Sequence, residues 1–335
     1  MKIVVAGATG LVGKTMLRVL EEQSVPVNEL IPVASAASVG KEIQFNKRSV
    51  EVVSIEEALG KQPDMALFSA GGGFSKEWAP RFAARGIFVI DNSSTWRMHE
   101  QVPLVVPELN AHTIKKNSFI IANPNCSTIQ LVLAIAPIHQ YFMIKRLVIS
   151  TYQSVTGSGY KGMNQLQQEQ KGLKVDHPAY PHPIHQNLIP QGGDFDFEGY
   201  TTEERKLEHE SRKILSDEKL AVTSTVVRVP VVGGHSMSVN IETEKAFQVH
   251  EVRELLRKSS GLEIMDELDS HTYPMPLFAE GKDAVFVGRI RKDNSIRNGL
   301  NLWVVADNLR KGAATNAVQI ASYLINNNYL AQSSL

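Results

Sequence analysis

Residues 2–23, KIVVAGATGLVGKTMLRVLEEQ, decide how the rest of the chain is read. "KIVVAG" (2–7) is a short β-branched run ending on glycine, and "GKTMLRVLEEQ" (13–23) carries Met16, Leu17 and Leu20 at helical spacing. Strand, glycine turn and helix make the first βα unit of a doubly wound sheet. Gly7, Gly10 and Gly13 fall in a G-x-x-G-x-x-G spacing across the turn. Glycines there let the chain turn sharply, let backbone N–H groups approach a pyrophosphate, and let helix and strand pack closely. The phosphates of a dinucleotide would then sit at the helix start, where open N–H groups and the helix dipole favour negative charge. A glycine triplet alone also serves as a plain tight turn. The strand before it, the helix after it and its N-terminal position favour the dinucleotide.

The pattern repeats. "LIPVAS" (30–35), "EVVSI" (51–55), "DMALFSAG" (64–71), "GIFVIDNSS" (86–94) and "SFIIANP" (118–124) read as strands, with a helix over 75–86. Their continuous apolar character suits a sheet covered on both faces. After Cys126 the character changes. A long apolar helix (127–139) is followed by a more alternating strand (146–157), a charged amphipathic helix (202–216), two strands around a Gly-Gly (220–244) and a hairpin (283–293, 299–308). The fold expected is α/β: an N-terminal Rossmann-like doubly wound sheet over 1–124, then an α+β domain over 125–308 with a mostly antiparallel sheet. The last helix, 311–328 within 309–330, is apolar on one face and can pack against either domain. Residues 176–200, rich in Pro, His and Gly, read as a loop.

A chain of 335 residues suits two domains. Lys plus Arg equals Asp plus Glu at 35 each, so no nucleic-acid partner is expected. No segment reaches the roughly 18 to 20 unbroken apolar residues of a membrane span. One cysteine makes no internal disulfide and suits a reducing compartment. The opening MKIVVAGATGLVG lacks a secretory leader pattern, so the expected location is the cytoplasm.

Cys126 follows a strand and opens a helix, where the dipole lowers a thiol pKa and makes the thiolate available as a nucleophile. A lone cysteine is in general a small buried hydrophobe. Here the flank "NPN…ST" is polar, and the turn lies where a doubly wound sheet presents its carboxyl ends to a ligand. Among ten histidines, His235 follows the Gly-Gly between two strands and is the candidate proton partner. On spacing alone it reads more readily as a surface turn residue. His139, His177, His182 and His185 match metal-ligand spacing only loosely, and no metal is expected. Arg228 lies inside an apolar strand, so it either meets an internal acid or faces a ligand. Arg97 sits just past a strand and suits an anionic substrate. Strand two ends "VASAASVGK" without an acid, and Ser35, Ser38 and Lys41 favour NADP over NAD.

The set "GATGLVG", "LFSAGG", "DNSS", "VPLVVPELN", "NPNCSTIQ", "STYQSVTGSG", "RVPVVGGHS", "FVGRIRKD" and "VVADNLRKGAATNAVQIA" resembles the bacterial type of aspartate-semialdehyde dehydrogenase nearly end to end. "NPNCST" and the R-x-P-V-x-x-x-H block are its specific parts. The resemblance implies reduction of an aspartyl phosphate to the semialdehyde with NADPH, releasing phosphate, in the biosynthesis of lysine, threonine and methionine. It implies Cys126 as acylated nucleophile, His235 as acid/base and Gln153 as the residue that orients the intermediate. Arg228 would bind the substrate carboxylate, Glu203 the amino group, and Arg97 and Lys206 phosphate, with Asn125 beside the nucleophile. Thr9, Gly10, Leu11, Val12, Ser35, Thr156, Gly157 and Asn308 would contact the cofactor. A homodimer through the second domain is implied as well. The family often has arginine where Ala37 stands, and loop 176–200 carries nothing over. Two rival readings are an N-acetyl-γ-glutamyl-phosphate reductase and a non-catalytic NADP-binding redox sensor. A sensor of that kind usually has a resolving cysteine, which this chain lacks.

Overall fold

A computed structural model of the chain describes residues 1–330. It divides into two compact units: Met1–Asn125 with the chain from Ala313 onward, and Cys126–Gly312.

In the first unit, β1 (Lys2–Ala6) leads into α1 (Leu11–Glu22) and β2 (Glu29–Val33). There follow β3 (Glu42–Phe45), β4 (Arg48–Glu51), α2 (Ile55–Gly60), β5 (Met65–Phe68), α3 (Gly72–Ala83), β6 (Phe88–Asp91), α4 (Pro107–Asn110) and β7 (Ile120–Ala122). The main sheet has the order β2-β1-β5-β6-β7, and every pair in it is parallel. Both faces of β1 are buried. Ile3 and Val5 join one apolar cluster and Val4 and Ala6 another, so a period of two is hidden inside an all-apolar run.

The strand order reverses at β1, which makes the β1 and β5 carboxyl ends the switch point of the sheet. Two glycines permit the close approach there. Gly7 has φ +84°, and a Cβ on it would stand 2.2 Å from the Ser69 carbonyl oxygen. A Cβ on Gly13 would stand 2.0 Å from the Gly7 oxygen. The N–H groups of Gly7 and Ala8 both donate to the Val33 carbonyl, at 2.8 and 3.0 Å. The glycine turn is thereby docked on the end of β2.

Two sequence readings are corrected. Residues 51–55 are not one strand: β4 ends at Glu51, Val53 makes an isolated bridge to Val33, and Ile55 opens α2. The Ser54 side chain accepts from the Glu57 N–H at 3.1 Å, and this N-cap outweighs the β-branched run. Antiparallel β3 and β4 form a hairpin that the sequence reading did not identify. Its turn residues, Asn46 and Lys47, have positive φ without being glycine.

The second unit contains α5 (Cys126–Phe142), β8 (Ile144–Gln153), α6 (Gly159–Gln170), α7 (Thr202–Leu215), β9 (Ala221–Arg228), β10 (His235–Thr243), α8 (Val249–Arg257), β11 (Leu262–Ile264), α9 (Pro276–Ala279), β12 (Val285–Asp293) and β13 (Gly299–Ala306). Its sheet runs β11-β12-β13-β10-β8-β9. The central pairings are antiparallel, while the outer strands β9 and β11 pair parallel to β8 and β12. Helix α5 lies on this sheet and also meets α7 and α8. A π-helical turn (Arg310–Ala314) then returns the chain to the first unit as α10 (Thr315–Asn326), whose Ala317, Val318, Ile320, Ala321 and Leu324 join the cluster of Ile3 and Val5. No helix among the described residues is long and apolar enough to cross a membrane.

Gly7→Ala forces a side chain into a left-handed backbone and against a carbonyl. The expected cost is about 2 kcal/mol or more, read as a lower urea midpoint at unchanged slope. An unchanged midpoint would mean that the turn relaxes freely.

Candidate active site

Three strands deliver the chemistry to one end of the second sheet. Strands β8 and β9 are parallel, with Gln153 opposite Arg228 at their carboxyl ends. Strand β10 runs antiparallel to β8, with Ser236 opposite Tyr152, so its first residue, His235, arrives at the same end. Between Arg228 and His235 lies Gly157. A Cβ on Gly157 would stand 2.8 Å from Arg228 Nη1, 3.1 Å from His235 Cε1 and 3.2 Å from His235 Nε2. Both Arg228 Nη1 and His235 Nε2 are buried with no hydrogen-bond partner. A buried guanidinium nitrogen left open is costly unless a ligand completes it, which favours the ligand-facing alternative for Arg228.

His235 is fully buried, so the surface-turn reading is overturned. Gly233 does turn, with φ +97°, but the strand that follows is interior, paired with both β8 and β13. Burial pushes the His235 pKa down to about 3, with the Arg228 charge adding to the effect and Glu203 opposing it. The imidazole is neutral in the native protein.

Cys126 is half-buried at the first position of α5. The backbone at Gly312 packs against it: a Cβ there would be 2.9 Å from Cys126 Cβ. Ser127 next to it accepts from Gln153 Nε2 at 2.8 Å, and Gln153 Oε1 is buried without a partner. The bond ties the start of α5 to the end of β8. On α7, Glu203 and Lys206 pair at 2.5 Å, one turn apart. Thr156 Oγ1 donates to Asn308 Oδ1 at 2.8 Å, so two of the expected cofactor residues meet although 152 positions separate them. Gly157, a third, borders Arg228 and His235 as described.

In the first unit, Arg97 is buried and oriented by two carbonyls, donating to Asn123 O at 3.0 Å and Asn92 O at 2.8 Å. Asn123 receives a bond from Asn316 at 2.7 Å and donates to Ala313 O at 3.1 Å, which anchors the Asn-Pro-Asn turn carrying the buried Asn125. Thr9 and Gly10 end the glycine turn, and Leu11, Val12 and Gly13 open α1, whose start has no side-chain cap. A Cβ on Gly10 would meet only the Gly7 oxygen, at 3.3 Å. An uncapped helix start with no acid in its first turn fits a pyrophosphate. Ser35 immediately precedes the short 3₁₀ turn Ala36–Ser38 beyond β2; Ser35 and Lys41 are exposed, Ser38 is half-buried, and no acid lies between them.

Ser127, Ser154, Gly312, Asn123 and Asn316 were missed by the sequence reading. Ser127 and Asn123 flank the cysteine and carried a signal through position. The others act through contacts more than 80 residues away, which local sequence does not record.

The buried imidazole makes stability depend on pH. The native state holds His235 neutral down to about 3, whereas the unfolded chain protonates it near the ordinary histidine value of 6.5. Stability from this residue is therefore complete above pH 6.5 and falls as pH drops towards 3. Wild type should lose about 1.4 kcal/mol per pH unit relative to His235→Gln between pH 6 and 4. Parallel stability curves in urea titrations of the two proteins would contradict it.

The chain matches two family descriptions, "Semialdehyde dehydrogenase, NAD binding domain" over residues 2–117 and "Semialdehyde dehydrogenase, dimerisation domain" over residues 135–311. It is 50% identical to the aspartate-semialdehyde dehydrogenase of Aquifex aeolicus over 332 residues, covering 97% of this chain and 98% of the relative. That of Legionella pneumophila is 46% identical, with 97% and 95% covered. The crystal structure of aspartate semialdehyde dehydrogenase II from Vibrio cholerae complexed with ASA superposes with a TM-score of 0.93 at 44% identity, covering 97% and 98% of the two chains. The Candida albicans enzyme with NADP superposes with a TM-score of 0.77 at 25% identity, covering 98% and 99%. A buried arginine and histidine left open at a sheet end, a cysteine at a helix start and a glycine-built nucleotide turn agree with these likenesses: the chain belongs to the aspartate-semialdehyde dehydrogenase family.

Proposed function

We propose that this chain reduces L-aspartyl 4-phosphate to L-aspartate 4-semialdehyde and phosphate through a thioester on Cys126, with NADPH, as a cytoplasmic homodimer in the biosynthesis of lysine, threonine and methionine. The observation that carries the reading is the pair of unpartnered buried nitrogens, Arg228 Nη1 and His235 Nε2, on either side of Gly157. NADPH supplies the hydride when bound, held by the glycine turn, Ser35 and Ser38, and by Thr156, Gly157 and Asn308.

The chain's own residues do the remainder. The Cys126 thiolate attacks the acyl carbon, and phosphate leaves. Ser127 holds the Gln153 amide in place, and Gln153 orients the acylated sulfur. Arg228 grips the substrate carboxylate; its planar fork gives two directed bonds where an ammonium would give a point charge. Glu203 binds the substrate ammonium, and Lys206 and Arg97 bind phosphate, with Asn125 beside the nucleophile. The Glu203–Lys206 pair keeps both charges compensated until substrate arrives. A single free thiol at work suits a reducing compartment, and the dimer is supported by the match to a dimerisation domain.

The test runs the reaction in reverse: aspartate semialdehyde, phosphate and NADP, followed by cofactor absorbance. Signal that requires phosphate supports the reading. Turnover of N-acetylglutamate semialdehyde in its place, or cofactor binding with no turnover of either aldehyde, would overturn it. Cys126→Ser should lower kcat by about a thousandfold or more while cofactor affinity is kept; retained kcat would exclude a thioester. Arg228→Lys should raise KM for the aldehyde by about 10- to 100-fold, the worth of one charge-assisted bond. Wild-type kinetics in that variant would make the arginine structural.

A further inference from the structure

Residues 176–200 took no part in the expected site, yet the stretch from Ile189 onward is bonded to two residues that did. Strand β9 ends its sheet, with β8 on the inner side. On the outer side Ile189 bridges Arg228: Arg228 N–H donates to Ile189 O at 2.8 Å, and Ile189 N–H to Arg228 O at 3.1 Å. The loop covers a sheet edge at the residue that carries the guanidinium.

The same segment then reaches α7. The Gly192 carbonyl accepts the Glu203 N–H at 3.0 Å and the Thr202 hydroxyl at 3.2 Å. The Asp194 carbonyl accepts the Thr202 N–H at 3.0 Å. Thr202 and Glu203 open the helix, so their N–H groups have no acceptor within it. Helix α7 is also fixed on β9: Glu204 Oε1 accepts Val226 N–H at 2.8 Å, and Oε2 accepts Thr201 N–H at 2.6 Å. The stretch from Ile189 to Gly192 is therefore bonded at one end to Arg228 and at the other to Glu203. Both charges act on the His235 ring, so both reach one site.

Gly192 is buried and lacks the positive φ that would demand glycine. Its requirement is volume. A Cβ there would stand 2.6 Å from Val226 Cγ1, 2.8 Å from Glu203 Cβ and 2.9 Å from Glu203 Cγ. Ordinary carbon contacts lie at about 3.5 to 4.0 Å, so a methyl asks for roughly 1 Å of movement. Val226 is fully buried within β9. The Glu203 carbons that would be pressed are the stem of the side chain, so its carboxylate moves with them.

We propose that Gly192 is a positioning residue for Glu203, and that the segment Ile189–Gly193 selects substrates with a free α-ammonium by fixing the carboxylate of α7 at one spacing from the guanidinium of β9. The inference rests on the proposed function, in which Glu203 meets the substrate ammonium and Arg228 its carboxylate. Ammonium and carboxylate on a single carbon have a spacing set by covalent geometry. A clamp for them must hold its own two charges at a matching spacing, and an error of about 1 Å is expensive. One short segment bonded to both main chains meets that need. An aldehyde without the amino group uses Arg228 alone and is indifferent to where Glu203 stands.

The test compares aspartate semialdehyde with its desamino analogue, succinate semialdehyde, each with phosphate and NADP. Gly192→Ala should lower kcat/KM for aspartate semialdehyde about tenfold or more, mainly through KM. The value for succinate semialdehyde and the KM for phosphate should change less than about threefold. Equal losses on the two aldehydes, or a wild type indifferent to the amino group, would overturn the role. In a Glu203→Gln background the same substitution should alter the aldehyde preference less than about twofold; the full loss there would overturn it. Adding Val226→Ala to Gly192→Ala vacates the tightest contact and guards against an unstable single variant. It should return the preference to within about threefold of wild type, and no recovery would overturn the volume argument. Amide exchange reads the docking without turnover. The Glu203 N–H should exchange at least about tenfold faster in Gly192→Ala, with the β13 amides unmoved; an unmoved Glu203 amide would overturn the proposal. Faster exchange in the variant, with a wild type that turns over neither aldehyde, would uphold the placement of Glu203 and sink the functional reading.

Discussion

The second unit depends on holding two polar nitrogens out of water without giving them protein partners. Arg228 Nη1 and His235 Nε2 are in that condition at the same end of one sheet. Leaving a charged donor buried and open costs several kcal/mol, so the arrangement persists only because the surrounding ladder is continuous. Strand β8 is paired on both sides, to β10 and β9, along its length. The Arg228 main chain also exchanges hydrogen bonds with Ile189 at 2.8 and 3.1 Å. These bonds fix the main chain from which the guanidinium projects.

The same rigidity explains why glycine occupies Gly157 and Gly312. Neither has the positive φ that would make glycine necessary for backbone reasons. Their requirement is volume. A methyl at 157 would fill the space between the guanidinium and the imidazole, and a methyl at 312 would push on the first residue of α5. In one case glycine preserves room for a ligand, and in the other it sets where the sulfur can be.

The parts of this architecture that local sequence could announce were legible. The glycine turn, the β-branched strands and the cysteine between strand and helix all rest on interactions within a few residues. The departures share one cause. "EVVSI" looked like a strand because Val52 and Val53 are β-branched, yet Ser54 with Glu57 three residues on supplies a helix cap. His235 looked exposed because "GGH" is a turn signature, and its burial is decided by β10 lying between β8 and β13, strands roughly 70 to 90 residues away in the chain. The Ser154, Thr156 and Asn308 chain is written in three ordinary polar residues, and only the sheet order brings the last to the first two. Pairing order in a mixed sheet is a non-local property, and the site was built on it.

The two charges on α7 bear on selectivity. A substrate that carries carboxylate, ammonium and phosphate groups brings both signs. With Glu203 13% and Lys206 28% exposed at their side chains, the empty site neutralises its own helix by pairing them. On the proposed reading, a zwitterionic acyl phosphate exchanges that pair for two intermolecular ones, so neither of these two charges on α7 loses its counter-charge. A substrate whose amino group is acylated offers no ammonium to Glu203. It would free Lys206 for phosphate only by giving up the Glu203–Lys206 pair with no intermolecular bond to Glu203 in return, and that loss weighs against the acylated substrate.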